Sequence, residues 1–410
     1  MRAKKKPNKR IVFMIALMLS IFMAFGFRTF NFQVVTADEF SSKNANLIAI
    51  KTSIEATRGI IVDRYGRPIA YNREGYNVVF NSAYMKKADY NNTIIELTKL
   101  LRSYGYEWND ILPMTKDEPY EFTSDATAVS ALKNKLGLNG YATAVNCYNE
   151  MVSRYGLESV SSDIRRTVMG IRYSIERTDF SVSNPYTFAE DISAELMMVI
   201  AESYSYLPGV EINVVSYREY ADPTLASHIV GTIGKITAEE WQSLKDKGYS
   251  YSDYVGKDGV ESAFEEYLKG EDGVMTYYFD KSGNVAVTEV TKESTQGDTV
   301  FLTIDSKLQK VAQDALEKNI TELNSKGGVI TGGAVTVTSV KTGEVLASAN
   351  YPNYNLDEYY SDYSAVVSRP NNPLYNRALK GTYPPGSAFK PLVAIAGLQN
   401  GIIDRSTTVY

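Results

Sequence analysis

An uncharged, largely apolar run over residues 11–27 follows a decapeptide that carries Arg2, Lys4, Lys5, Lys6, Lys9 and Arg10 and no acid. A helix in this run is apolar on all sides, so it has no polar face to offer water. Seventeen residues is near the lower limit for crossing a bilayer, where about 20 is typical, and Arg28 is followed by a further apolar patch to Val35. The basic decapeptide predicts a cytoplasmic N-terminus by the positive-inside rule. Two readings compete, an uncleaved signal anchor and a secretory signal peptide. No clean small-x-small cleavage site follows the run, because Ala24-Phe25-Gly26 is still inside it. The sequence therefore favours a basic tail at 1–10, a transmembrane signal anchor at 11–32, and a plasma-membrane protein with its bulk outside the cytoplasm.

Composition narrows the rest by exclusion. The 410 residues suggest two or three domains, and 44% hydrophobic with 22% charged content is ordinary for globular protein. Net charge is −5, so the residues after the basic decapeptide sum to −11 (−5 minus +6), which argues against a nucleic-acid partner. The single cysteine, Cys147, forbids an intrachain disulfide and a thiol metal cluster. No nucleotide or metal motif appears, and no cofactor is expected. The lone His228 lies in an apolar Ser-His-Ile-Val-Gly context, which predicts a hydrogen-bonded structural histidine rather than a catalytic base. The 31 tyrosines are scattered rather than periodic and read as packing and surface.

Along the chain, residues 36–57 read as a helical or extended stalk. Residues 58–80 alternate apolar and polar side chains around Tyr65-Gly66, the pattern of a β-hairpin. Residues 85–205 mix amphipathic helical patterns, such as Ile94-Ile95-Glu96-Leu97-Thr98-Lys99-Leu100-Leu101, with tyrosine-rich loops. A strand over 299–304 should lead into a helix over 307–318. Residues 334–340 and 344–349 then alternate across Lys341-Thr342-Gly343, which predicts a hairpin with a polar turn.

The chemistry-bearing residues are Ser387 and Lys390, in Tyr383-Pro-Pro-Gly-Ser-Ala-Phe-Lys-Pro-Leu392. Pro384, Pro385 and Gly386 do not sit comfortably inside a helix, so one should start at about Ser387 and run to Gly401. A spacing of three places both side chains on one face. The positive end of a helix disfavours an ammonium, and burial disfavours it further. A lysine held there can be neutral and take the serine proton, which makes Ser387 a candidate nucleophile and Lys390 its general base. An S-x-x-K pair alone occurs by chance in many chains.

The residues around the pair reverse those odds. Asn376-Arg377-Ala378, Gly381, Tyr383, Pro385-Gly386-Ser387 and Phe389-Lys390 resemble the active-site entry of penicillin-binding proteins, for which S-x-x-K is a signature. Arg58-Gly59-Ile60-Ile61-Val62-Asp63-Arg64-Tyr65-Gly66-Arg67-Pro68-Ile69-Ala70 resembles the N-terminal signature of the class B, monofunctional type. Leu207-Pro208-Gly209-Val210, Arg218 with Tyr220, and His228-Ile229-Val230-Gly231 with Gly234 resemble its next block. Gly256-Lys257-Asp258-Gly259-Val260-Glu261, Leu268-Lys269-Gly270 with Gly273, Gly297-Asp298, Leu302-Thr303-Ile304-Asp305 and Gln309 follow in the same order. The resemblance implies an α+β multidomain protein: an N-terminal transmembrane helix, an elongated β-rich pedestal with a helical head, and the first part of a serine β-lactamase-like α/β transpeptidase domain. It places the dimerisation or pedestal domain at 36–295, its head at about 85–205, and a partial transpeptidase domain at 296–410.

By the same resemblance the protein is a D,D-transpeptidase that cross-links peptidoglycan. Ser387 would attack the D-Ala-D-Ala carbonyl of a stem peptide, and an amine of a second stem would resolve the acyl-enzyme. The implied partners are stem peptides, β-lactams, the membrane and cell-wall synthesis proteins such as a glycosyltransferase. The family also uses a K-T-G strand and an S-x-N loop after the nucleophile. Here Lys341-Thr342-Gly343 and Ser348-Ala349-Asn350 precede Ser387, so neither is assigned to catalysis, and no such triplet follows Lys390. The chain is accordingly expected to be part of a longer protein and inactive alone. Two further readings stay open: a non-catalytic scaffold for wall assembly, and a β-lactam sensor or serine β-lactamase. The long blocks ahead of Ser387 speak against the last.

Overall fold

The computed structural model describes residues 9–30, 47–250 and 253–408. They divide into two units, one drawn from Met1–Glu55, Glu74–Val215 and Asp272–Ser294, the other from Ala56–Arg73, Ser216–Glu271 and Thr295–Tyr410. The architecture is α+β in each.

The first unit begins with the 22-residue helix Lys9–Phe30. Its described side chains, Phe13, Met14 and residues 17–29, are all solvent-exposed. Among the described residues no helix is long and apolar enough to cross a membrane. In this helix the contiguous described side chains cover only 17–29, and most of the expected tail at 1–10 lies outside the described residues.

Much of residues 85–205 is helical, as the amphipathic patterns predict. In the helix Tyr90–Ser103 the buried residues Ile94, Leu97 and Leu101 recur at spacings of three and four and form one apolar stripe. The helix Ala126–Leu136 starts where Asp125 accepts from the N–H groups of Thr127 and Ala128. A capping box of Thr143 and Asn146 opens Ala144–Tyr155. These helices, with Ser162–Arg177 and Ala194–Glu202, enclose a core built around Phe80, Phe188, Leu97, Met151 and Met169. The Phe80 and Phe188 rings meet with centroids 5.1 Å apart. Strand Tyr186–Ile192 carries Phe188 into that core and pairs antiparallel with the strand ending at Phe80 (Phe80↔Tyr186). A buried ion pair lies inside: Arg166 pairs with Asp110 at 2.8 Å and donates to the Met114 and Thr115 carbonyls, so its burial leaves little unsatisfied. Cys147 is buried and free. The expected stalk is partly a strand: Ile48–Ile54 pairs with Gly273–Phe279, which also pairs with Val285–Lys292.

In the second unit the hairpin expected around Tyr65-Gly66 forms, with Ile61 opposite Ala70 and Val62 opposite Pro68. Asp63 builds its turn by accepting from the Tyr65 and Arg67 N–H groups, and Ser306 donates to its other oxygen through both N–H and hydroxyl. Val300–Phe301 lies parallel to Ile61–Val62. The strand expected over 299–304 is thus only two residues, since Leu302 to Asp305 turn into the next helix. That helix is Ser306–Ser325, longer than the expected 307–318. Asp305 caps its start through the Lys307 N–H, Ile320 keeps it packed beyond Lys318, and Gly327, at φ +95°, stops it. Small residues let it approach the hairpin Gly333–Thr338 and Val345–Tyr351 closely: Ala312, Ala347 and Ala349 are buried together.

Candidate active site

The segment leading to Ser387 is anchored before it reaches the serine. Asn376 accepts from the Leu379 N–H and so caps the four-residue helix Arg377–Lys380. Asn350, buried on the strand Val345–Tyr351, accepts from the Ala378 N–H at 2.8 Å. The Arg377 guanidinium donates to the carbonyls of Asn371, Asn372 and Tyr375, and the Tyr375 hydroxyl donates to the Lys380 carbonyl at 2.6 Å. Residues 371–380 are therefore bound to themselves as one knuckle.

After Pro384-Pro385, Gly386 takes φ +54°, a left-handed conformation that side chains other than glycine's resist. It starts a 3-10 turn, Gly386–Phe389, and the α-helix proper is Lys390–Gln399. The expected start at Ser387 is corrected by one turn, because Pro391 at the first helical turn marks the true N-terminus. The Lys390 N–H donates to the Ser387 carbonyl. In a 3-10 turn residues i and i+3 eclipse, so Ser387 and Lys390 share one side of the backbone as the spacing requires. The burial expected around Lys390 is not present. Both side chains are exposed, as are Leu392 and Ile395 on the same helix, because the turn lies at the surface of its unit. Among the described residues no hydrogen bond to either side chain is formed.

The two look-alike triplets are structural. Lys341-Thr342-Gly343 is the exposed turn of the hairpin, with Gly343 at φ +77°. Ser348-Ala349-Asn350 is buried in the strand behind it. Gln309 treats Ser348 as a paired strand would: its amide oxygen accepts from the Ser348 N–H at 2.7 Å, and its amide nitrogen donates to the Ser348 carbonyl at 2.9 Å. His228 is the structural histidine the sequence predicted. Its Nε2 is 2.7 Å from the Pro373 carbonyl, its ring meets Tyr354 edge-on, and burial pushes its pKa below the ordinary value.

Three motif residues, Arg58, Arg218 and Glu261, converge on a buried ionic network that the sequence did not reveal. Glu261, fully buried, accepts from Arg58 Nε at 2.6 Å and from Arg218 Nε at 2.9 Å. Arg218 Nη2 is 2.7 Å from the same Glu261 oxygen, an ion-pair contact rather than an aligned hydrogen bond. Arg58 also pairs with Glu265 at 2.7 Å, and Arg218 donates to the Gly59 carbonyl and Asn72. Burial works against the Arg58 charge, but Glu261 and Glu265 more than offset it and hold its pKa up. Only the pairing of unlike charges far apart in the chain could have revealed this, and a single sequence carries no such signal. The glycines of these blocks mark close backbone approach: a Cβ on Gly231, at φ +82°, would lie 2.1 Å from the Asp258 carbonyl oxygen.

The Penicillin-binding Protein dimerisation domain family matches residues 53–302, and the Penicillin binding protein transpeptidase domain family matches residues 333–410. The first match covers more than half of the chain, and the chain belongs to the penicillin-binding proteins. The Peptidoglycan D,D-transpeptidase MrdA of Escherichia coli K12 is 26% identical over 393 residues, which are 93% of this chain and 50% of that protein. Its counterpart in Acinetobacter baumannii is 33% identical over 207 residues, 49% of this chain and 29% of that one. The chain spans about half the length, or less, of these relatives. Among solved structures, penicillin-binding protein 2B of Streptococcus pneumoniae aligns with TM-score 0.56 and 21% identity over 88% of this chain and 57% of its own. PBP2 of Helicobacter pylori, solved in complex with MreC, aligns with TM-score 0.58 and 22% identity over 88% and 54%. These likenesses show a shared fold.

Proposed function

We propose that the protein is a membrane-anchored D,D-transpeptidase that cross-links peptidoglycan stem peptides through an acyl-serine. The observation that carries this reading is Ser387, placed with Lys390 on one side of a 3-10 turn at a helix start, inside the segment that matches the transpeptidase domain. Ser387 Oγ forms an ester with the penultimate D-Ala carbonyl as its proton passes to Lys390 Nζ. The terminal D-Ala leaves with that proton. An amine of a second stem then displaces Ser387, forming the cross-link and returning the proton to Oγ. β-Lactams present a comparable carbonyl and acylate the same oxygen.

The helix Lys9–Phe30 is proposed as the anchor, with the basic tail in the cytoplasm. At about 1.5 Å per residue its 22 residues extend about 33 Å, close to the thickness of a hydrocarbon core. The apolar side chains it exposes fit lipid better than water. The neighbour solved with MreC supports a cell-wall protein as partner.

The test is D-Ala release and strand cross-linking by the full-length gene product in detergent, beside its Ser387→Ala variant. The wild type is expected to do both and the variant neither. Cross-linking by the variant at the wild-type rate removes Ser387 from the chemistry. Inactivity of both, in a protein that still assembles at the wall, favours the scaffold reading.

A further inference from the structure

Ser387's turn makes no side-chain tie of its own among the described residues, so its position is set by what holds the knuckle 371–380 in front of it. One residue holds that knuckle with two hands. The His228 ring meets the Pro373 carbonyl at 2.7 Å, and the His228 main-chain carbonyl accepts from Asn376 Nδ2 at 3.1 Å. Because a carbonyl can only accept, Nε2 carries the proton in this contact. The ring itself is fixed: Tyr354 meets it edge-on with centroids 4.9 Å apart, and the Tyr354 hydroxyl donates to the Ser227 carbonyl beside it.

A four-residue helix cannot hold itself in place, since nucleation costs more than one turn returns. Arg377–Lys380 therefore depends on its external ties. Its two ends are distinct in this respect. The N-terminal end has the Asn376 cap, the Asn376–His228 bond and the Asn350–Ala378 bond, while the C-terminal end is tied within the knuckle by the Tyr375 hydroxyl and leads into Gly381 and the turn bearing Ser387. The bonds from His228 are the ones that tie the knuckle to the helix Ser227–Val230, within the segment matched as dimerisation domain.

We propose that His228 is a positioning residue for Ser387, acting through residues 373–376 to hold the nucleophile's turn in register. It touches no substrate and moves no proton. The proposal rests on Ser387 being the acylated residue.

The experiment is penicillin acylation of the full-length gene product under pseudo-first-order conditions, resolving non-covalent binding from the acylation step, with the adduct mapped by mass spectrometry. His228→Ala is expected to slow the acylation step about tenfold to a hundredfold, as a displacement of about 1 Å of a reacting group does. Binding before acylation should stay within about twofold, because no ligand contact is removed. His228→Gln, whose amide nitrogen can reach the Pro373 carbonyl, should restore most of the rate. Asn376→Ala removes the second tie together with the cap on Arg377–Lys380 while leaving the His228 ring in place, and should slow the same step if His228→Ala fails to fold. A normal acylation rate in His228→Ala or, where that variant does not fold, in Asn376→Ala overturns the proposal. So does a slow step that His228→Gln leaves equally slow. An adduct on another residue fails the nucleophile reading instead, and the two failures are thereby distinguished.

Discussion

Replacing Glu261 should destabilise the second unit, because the carboxylate is buried between two arginines. Its carboxylate is fully buried and sits between two guanidiniums, with Arg58 Nε at 2.6 Å and Arg218 Nε at 2.9 Å. In Glu261→Ala both arginines keep part of their shell: Arg58 retains Glu265 and the residue 261 carbonyl, and Arg218 retains the Gly59 carbonyl and Asn72. Arg58 would then keep one carboxylate, Glu265, and Arg218 would lose its ion pair. Breaking a buried ion pair from one side costs about 3–5 kcal/mol, and the retained contacts place this case at the lower end. Glu261→Gln keeps the volume and one acceptor oxygen, so it should cost less than alanine yet more than about 1 kcal/mol. Trp241 belongs to this unit and Trp108 to the other, so urea unfolding followed by fluorescence in a Trp108→Phe background reports the right transition. With a slope of about 2–3 kcal/mol per molar, the Glu261→Ala midpoint should fall by about 1 M or more. A fall worth less than about 1 kcal/mol would mean instead that the two arginines do not need this carboxylate to stay buried.

Other outcomes follow from single contacts. Gln309→Leu removes both partners of the buried Ser348 backbone and should lower stability by about 1–3 kcal/mol in the same unfolding assay. Lys341→Ala, on the exposed hairpin turn, should change stability by less than about 0.5 kcal/mol and leave penicillin labelling of the full-length protein intact. Stability should also fall with acid in two windows. His228 has a depressed pKa, so its contribution is fully present above the ordinary value of 6.5 and is lost as pH drops toward its folded value. For Asp63, burial pushes the pKa up, but hydrogen bonds from Ser306, Arg67 and Tyr65 outweigh it and leave the pKa lowered. That contribution is present above the ordinary value of 3.8 and lost below it. His228→Gln should flatten the first window in pH-dependent melting and leave the second.

Local patterns in the sequence carried much of this fold. The stripe of Ile94, Leu97 and Leu101, the alternation around Tyr65-Gly66, and the polar turn at Lys341-Thr342-Gly343 each report structure within a few residues, where period and turn chemistry act directly. The S-x-x-K pair was legible because two prolines and a glycine punctuate the chain before it. The exact start was not: the sequence placed the helix at Ser387, whereas Gly386 opens a 3-10 turn and the α-helix waits for Lys390. Contacts distant in sequence stayed hidden. Arg58, Arg218 and Glu261 stand in three separate signature blocks, and only the fold brings them together. The same holds for Gln309, whose amide substitutes for a strand neighbour 39 residues away. The burial expected at Lys390 failed for a related reason, since helix periodicity says which face is apolar but not what covers it.

Ser387 is proposed as the acylated residue. The most direct measurement is peptide mass spectrometry of the full-length gene product after reaction with penicillin. One penicilloyl adduct is expected, on Ser387, lost in Ser387→Ala while the variant keeps its fold, since alanine removes one oxygen and suits the turn's entry into a helix. An adduct on any other residue, or labelling that survives Ser387→Ala, contradicts it.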